Sequence, residues 1–283
     1  MADLNTLNGY TTGNVDASSI TGTITGTISA LNIAYAASSA LGNGISGLGN
    51  EAVVVSDTGT ITDVAALTTL NGNTTGAVNA DAVAGFNASI SDLNTMYAGA
   101  VSSGNGITDI GDKSVTITDT TVSDASTLNT LNGHTSGVIT ADGVTALTGT
   151  ASDKSTLMAA EGESGDKVNL DTDFTVTVND TVSVAASDLN TINSKTDSLV
   201  TVTNAVTLTG TAADIATAAS ADNAGTLALA SNFGATATGA ADATDLTTIY
   251  GQTSATIDAT GVTGINGSAA NVHTVIDHAQ VNH

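Results

Sequence analysis

The chain has no cysteine, no proline and no tryptophan, and its four basic residues are all lysines, Lys113, Lys154, Lys167 and Lys195. Without cysteine there is neither a disulfide framework nor a thiolate metal site. Without arginine, and with 27 acidic residues giving a net charge of −23, little is left to neutralise phosphates. That excludes nucleic acid and anionic membrane surfaces as partners. A surface of this sign favours cations and stays soluble where salt screens its self-repulsion. No apolar run reaches the roughly 18 residues a spanning helix needs, so no membrane insertion is expected. Aromatics make up 2% of the chain against 41% hydrophobic residues, which suits a thin core of small and branched side chains. Met1-Ala2-Asp3 leads directly into the repeat described below, so a cleaved leader is not expected; the chain is read as a segment of something longer or as exported by another route.

What is present is a repeat. Segments like Asp-Leu-Asn-Thr-Leu return ten times, anchored at Leu4, Leu31, Leu67, Leu93, Leu128, Lys154, Leu189, Ile215, Leu246 and Val272. The steps alternate between about 26 and about 35 residues, so a short half and a long half build a super-repeat of about 61. The chain therefore reads as one repeat array over 1–283, with super-repeats near 1–63, 64–124, 125–185, 186–242 and 243–283, the last incomplete.

Four positions before the anchors stand Thr27, Asp63, Ser89, Asp124, Thr150, Thr211, Asp242 and Ser268, with Ala185 the exception. Such side chains accept hydrogen bonds from the free N–H groups at a helix start. Gly9, Gly72, Gly133 and Gly251 follow at anchor plus five and read as helix stops. Each anchor is thus expected on a helix of about two turns, too short to stand alone. Between helices, Val15 to Ile20, Val78 to Val83, Ile139 to Val144, Ile257 to Val262, Val53-Val-Val-Ser, Val115-Thr-Ile-Thr and Phe174-Thr-Val-Thr-Val read as short strands with one buried face. The expected fold is mainly β: an elongated parallel β-solenoid with a short capped helix in each coil. Tandem β-rich modules of about 61 residues are the alternative.

The repeat is also a control on candidate chemistry. His134 occupies a position held by Tyr10, Asn73, Lys195 and Gln252 in other copies, so it reads as an exposed, neutral turn. His273, His278 and His283 crowd a tail expected to fray, although His273 and Asp277 would face one way on a helix. Acids recur in the short halves at Asp16, Asp81, Asp142 and Asp258, and in the long halves at Asp57, Asp63, Asp119, Asp124, Asp171, Asp173 and Asp180. The segment 162–174 is densest, and Asp166, Asp171 and Asp173 are the candidate ligands for structural calcium. Alternating threonines at Thr21 to Thr27, Thr116 and Thr118, Thr175 and Thr177, and Thr201 and Thr203 would form flat hydroxyl rows, a style similar to ice-binding faces. No set of acids, bases and nucleophiles converges in sequence, and the chain is not expected to be an enzyme.

The motif Leu-Asn-Thr-Leu-Asn-Gly-x-Thr-Thr-Gly-x-Val-Asp-Ala-Ser and its companion Thr-Gly-Thr-Ala-Ser-Asp resemble the repeat regions of very large bacterial cell-surface and adhesin-type proteins, including those of marine cyanobacteria. The resemblance covers nearly the whole chain and brings no catalytic or binding residue with it. It implies an extracellular structural role as stalk, adhesin or self-assembling filament segment, with further copies or neighbouring repeats as partners. A binding module for calcium, ice or carbohydrate is the rival expectation.

Overall fold

The computed structural model describes residues 1–38, 44–100, 105–161 and 167–281. The helices start where the sequence places them. Each of the eight predicted caps accepts from a backbone N–H two or three residues on, from Thr27 (3.2 Å) and Asp63 (3.0 Å) to Asp242 (3.0 Å) and Ser268 (3.2 Å). Ala185 makes no such bond, and its helix, Ala186–Asn193, is among the shortest at 8 residues.

The helix ends differ from expectation. Gly9, Gly72, Gly133 and Gly251 all lie inside their helices, which run on to Tyr10, Asn73, His134 and Gln252. The residue that stops the helix is the threonine behind it: Thr11, Thr74 and Thr253 are extended, with φ near −120°. Running through the glycines lengthens these helices to 9 or 10 residues, and others reach 13.

That length corrects the fold class. The protein is mixed α/β, 39% helix against 26% strand, and is not a mainly β solenoid. Most strands hold only two to five residues, so the helices, once past their glycines, outweigh them.

In the first three super-repeats the short and long halves differ by one strand. After the helix Val64–Asn73 the short half supplies Val78–Asn79 and Gly85–Ala88, whereas after Ile90–Ala100 the long half supplies Ile107–Thr108, Ser114–Ile117 and Thr121–Val122. The roughly nine extra residues of the long half are therefore a third strand with its turn. In three sheets this third strand, Thr60–Ile61, Thr121–Val122 or Ser183–Ala185, is the terminal one.

Two compact units are present. The first comprises Met1–Asp119, Thr130–Ala141 and Lys167–Asn169, and the second Thr120–Asn129, Asp142–Asp166 and Leu170–His283. All recorded pairings are parallel, from one half-repeat to the next. In the first unit Ile61, Phe86, Val115, Ile139 and Val168 stand side by side in one column, every one buried. In the second, Val122, Leu147, Val176, Val200 and Leu227 form the matching column. Consecutive helices are tied by the asparagine after the anchor. Asn5 and Asn32 donate to Ala30 O and Ala66 O in the first unit, and Asn129 and Asn190 to Asp153 O and Asp214 O in the second, at 2.7 to 3.0 Å. Eight anchors, Leu31 to Leu246, are buried; Leu4 and Val272 are half-buried.

Candidate functional site

The threonine behind each short-half helix does two things at once. Thr74 Oγ1 donates to Glu51 O (2.7 Å), Thr135 to Lys113 O (2.9 Å), Thr196 to Phe174 O (2.6 Å) and Thr253 to Phe233 O, in each case reaching the preceding half-repeat. The same oxygens accept from Gly76, Gly137, Ser198 and Ala255 N at 2.9 to 3.1 Å. Thr11 Oγ1 likewise accepts from Gly13 N (3.0 Å), but the described residues place no half-repeat before it. The backbones come so close that a Cβ on Gly76 or Gly137 would overlap Glu51 O or Lys113 O. Sequence reasoning missed this joint because the acceptor is a carbonyl about 22 residues away and carries no residue signature.

A second recurrent bond uses acids that the sequence offered for calcium. Asp57 Oδ2 accepts from Ile28 N, Asp119 Oδ2 from Ile90 N and Asp180 Oδ2 from Ala151 N, each at 2.8 Å and each 29 residues on. These carboxylates reach back to the helix that opens their own long half, where the positive end of the helix dipole favours them. Each long-half helix concerned thus has two caps, one from the residue at its start and one from the far side of the same half-repeat.

Lys154 is the anomaly. It occupies an anchor position that is Leu, Ile or Val in all nine other copies, and it is fully buried. Its Nζ donates to Gly149 O and to Thr177 O (2.7 Å), carbonyls on two adjacent strands. Burial pushes its ammonium down to about 8, opposed by the charges of Asp180, Asp153 and Asp124.

The first unit holds a buried polar niche. Glu51 Oε2 accepts from Gly49 N (2.8 Å), Asn50 N (3.2 Å) and the Tyr35 hydroxyl (3.3 Å). Burial pushes the Tyr35 phenol up; a hydrogen bond with Thr74 pulls it down, and the Glu51 charge pushes it up again. One super-repeat on, Tyr97 donates to Ile110 O (3.3 Å), and its phenol is also raised, first by burial. Phe174 and Phe233 follow Glu51 and Lys113 at the joint carbonyl, just where Met158 and Ala219 replace the two tyrosines at anchor plus four. Both phenylalanines are buried, as a filled core requires.

His134 is not a free turn. It ends the helix Ala125–His134 and stacks on Tyr97 with ring centroids 5.7 Å apart. The described part of the tail, Ala269–Val281, is helical; His273 Nδ1 lies 2.9 Å from Asp277 Oδ2, and His278 stacks on Tyr250 at 3.8 Å. His283 lies outside the described residues.

Of the calcium candidates, Asp166 also lies outside the described residues. Asp171 is exposed and its Oδ1 accepts from Thr172 N (2.8 Å), and Asp173 is exposed with its carbonyl accepting from Ser198 Oγ (2.7 Å). Among the described residues no group of three or more His, Cys, Asp or Glu side chains is gathered where one ion would sit. An open groove of about 320 Å³ lies along Thr62, Asn87, Ser89, Asp92 and Thr118. Two of its polar groups are already engaged, since Ser89 Oγ donates to Asp92 Oδ2 at 2.8 Å.

Fold and joints together define a mixed α/β repeat protein in which one polar bond pattern recurs about every 61 residues. Comparison with known protein families, characterised proteins and solved structures finds no match to the chain. No helix among the described residues is long and apolar enough to cross a membrane.

Proposed function

We propose that the chain is a non-enzymatic structural repeat protein of the cell exterior, a segment of a stalk, sheath or adhesin. One observation carries this reading. The polar side chains that recur with the repeat are spent on the array itself: Thr74, Thr135, Thr196 and Thr253 join half-repeats, and Asp57, Asp119 and Asp180 close the long halves onto their own helices. A repeat whose distinctive residues hold the array together is built for extension and cohesion. The absence of cysteine, the acidic surface and the resemblance of the Leu-Asn-Thr-Leu-Asn-Gly motif to cell-surface repeats support the location. Antibody labelling of the producing cells tests it: label on intact cells is expected, and label only after permeabilisation contradicts it.

The same reading includes stacking on further repeats of this kind, from a second copy or from neighbouring chain. The helix Ala2–Tyr10 and the strand Ile257–Asn266 bury none of their residues, unlike their counterparts in between. Light scattering across a wide concentration range is expected to find a mass that grows; a constant monomer mass contradicts association between copies.

A binding role through threonine rows is the second reading, favoured by Thr148, Thr177 and Thr201 standing in register on adjacent strands. Thermal hysteresis tests it for ice, and a melt with and without chelator tests calcium at the exposed Asp171 and Asp173.

A further inference from the structure

We infer that Lys154 makes its half-repeat a weakened joint inside the second unit at neutral pH, and that loss of its proton strengthens that joint. The geometry carries this. An ammonium that is fully buried has exchanged water for two carbonyls, Gly149 O and Thr177 O, which occupy two of its three N–H groups. The charges facing it come from three elements. Asp124 caps the helix Ala125–His134, Asp153 lies on Lys154's own helix, and Asp180 follows the strand Thr175–Val178.

All three carboxylates are already engaged: Asp180 Oδ2 accepts from Ala151 N, Asp153 Oδ2 from the Thr150 hydroxyl and Asp124 Oδ1 from Ser126 N. None of them forms an ion pair with Nζ, the ion pairs among the described residues being those of Lys113 and His273. They moderate the burial of the charge without cancelling it. Opening the joint returns the ammonium to water, so its cost in the fold favours opening. The other nine anchors are apolar and have no such cost.

The sign follows from linkage. Below about 8 the lysine is protonated in both states and the folded joint bears the whole penalty. Between there and the 10.5 of free lysine only the open state holds the proton, so stability rises with pH. Above that range the penalty is gone.

Lys154→Leu installs the residue the repeat itself prefers and is the test. The variant is expected to melt higher than the wild type at pH 7, with the gap narrowing by pH 9.5. Across that interval the wild-type opening equilibrium falls by about tenfold or more relative to the variant. Asp180→Asn keeps an acceptor for Ala151 N but removes a charge facing Lys154, and it is expected to destabilise the wild type more than the Lys154→Leu background. An NMR titration of the Lys154 amine in the intact wild type gives a readout independent of either variant, with a midpoint near 8 expected. A midpoint near 10.5, an equal or lower melting temperature for Lys154→Leu at pH 7, or a gap that does not change with pH overturns the inference.

Discussion

Thr74 Oγ1 lies 2.7 Å from the carbonyl oxygen of Glu51, 23 residues earlier in the chain, and at the same time accepts from Gly76 N at 3.0 Å. One hydroxyl ends a helix, turns the chain into its next strand and fastens it to the half-repeat before. Both partners are backbone groups, so the bond survives any change of side chain at positions 51 and 76 that the space allows. Glu51 is accordingly replaced by Lys113, Phe174 and Phe233, and Gly76 by Ser198 and Ala255, with the bond intact.

The acid caps predict a contrast between carboxylates that look alike in sequence. Asp119→Ala removes the acceptor for Ile90 N and is expected to cost about 1 kcal/mol, while Asp119→Asn keeps most of it. Asp171→Ala, at an exposed position, is expected to stay within about 0.5 kcal/mol of the wild type. Urea denaturation of the three variants measures the difference.

Lysine at other anchors is predicted to be graded by the acids around it. At Leu93 the counterparts of Asp124, Asp153 and Asp180 are Asp63, Asp92 and Asp119, whereas at Leu31 the position before the anchor is Ala30. Both Leu→Lys variants bury a charge and destabilise, but Leu93→Lys is expected to lose less than Leu31→Lys. Thermal melts at low salt compare them directly.

Acid is predicted to weaken the turns and caps. Bonds from Ser18, Ser126 and Thr260, side chain first and then backbone, hold Asp16, Asp124 and Asp258 below the usual carboxylate value. For Asp242 the backbone N–H of Thr244 is the larger cause and its hydroxyl the smaller. With folded values depressed, this stability is complete above the unfolded value of 3.8 and is lost as pH falls through the folded values. Asp124→Asn should therefore flatten the acid limb of the stability curve below the unfolded value of 3.8, as followed by circular dichroism.

How much of this was legible depended on distance along the chain. The caps from Thr27 to Ser268 could be read because donor and acceptor sit within three residues, and all eight are made. Strand positions such as Val53–Val55 and Ser114–Ile117 were visible in their β-branched alternation. The fold class was misjudged at Gly72 and its equivalents. A glycine there reads as a stop, yet the helix passes through it to end at Thr74, because the joint to Glu51 fixes where the chain leaves the helix. Asp57, Asp119 and Asp180 were found but assigned to solvent or calcium, since a cap from 29 residues away leaves no local pattern. Lys154 stood in the list of anchors, and only burial reveals that it is a charge in a leucine's place.

The claim that recurrent polar residues join half-repeats is tested most directly by replacing Thr11, Thr74, Thr135, Thr196 and Thr253 with valine, one at a time, and measuring unfolding free energies in urea. Valine keeps the shape and removes the hydroxyl. At the last four positions it leaves a backbone carbonyl and an N–H without their partner, a loss of about 1 to 3 kcal/mol each. Thr11→Val, which breaks no bond to a preceding half-repeat, should cost less than about 0.5 kcal/mol. Five equal losses, or none, would contradict the account.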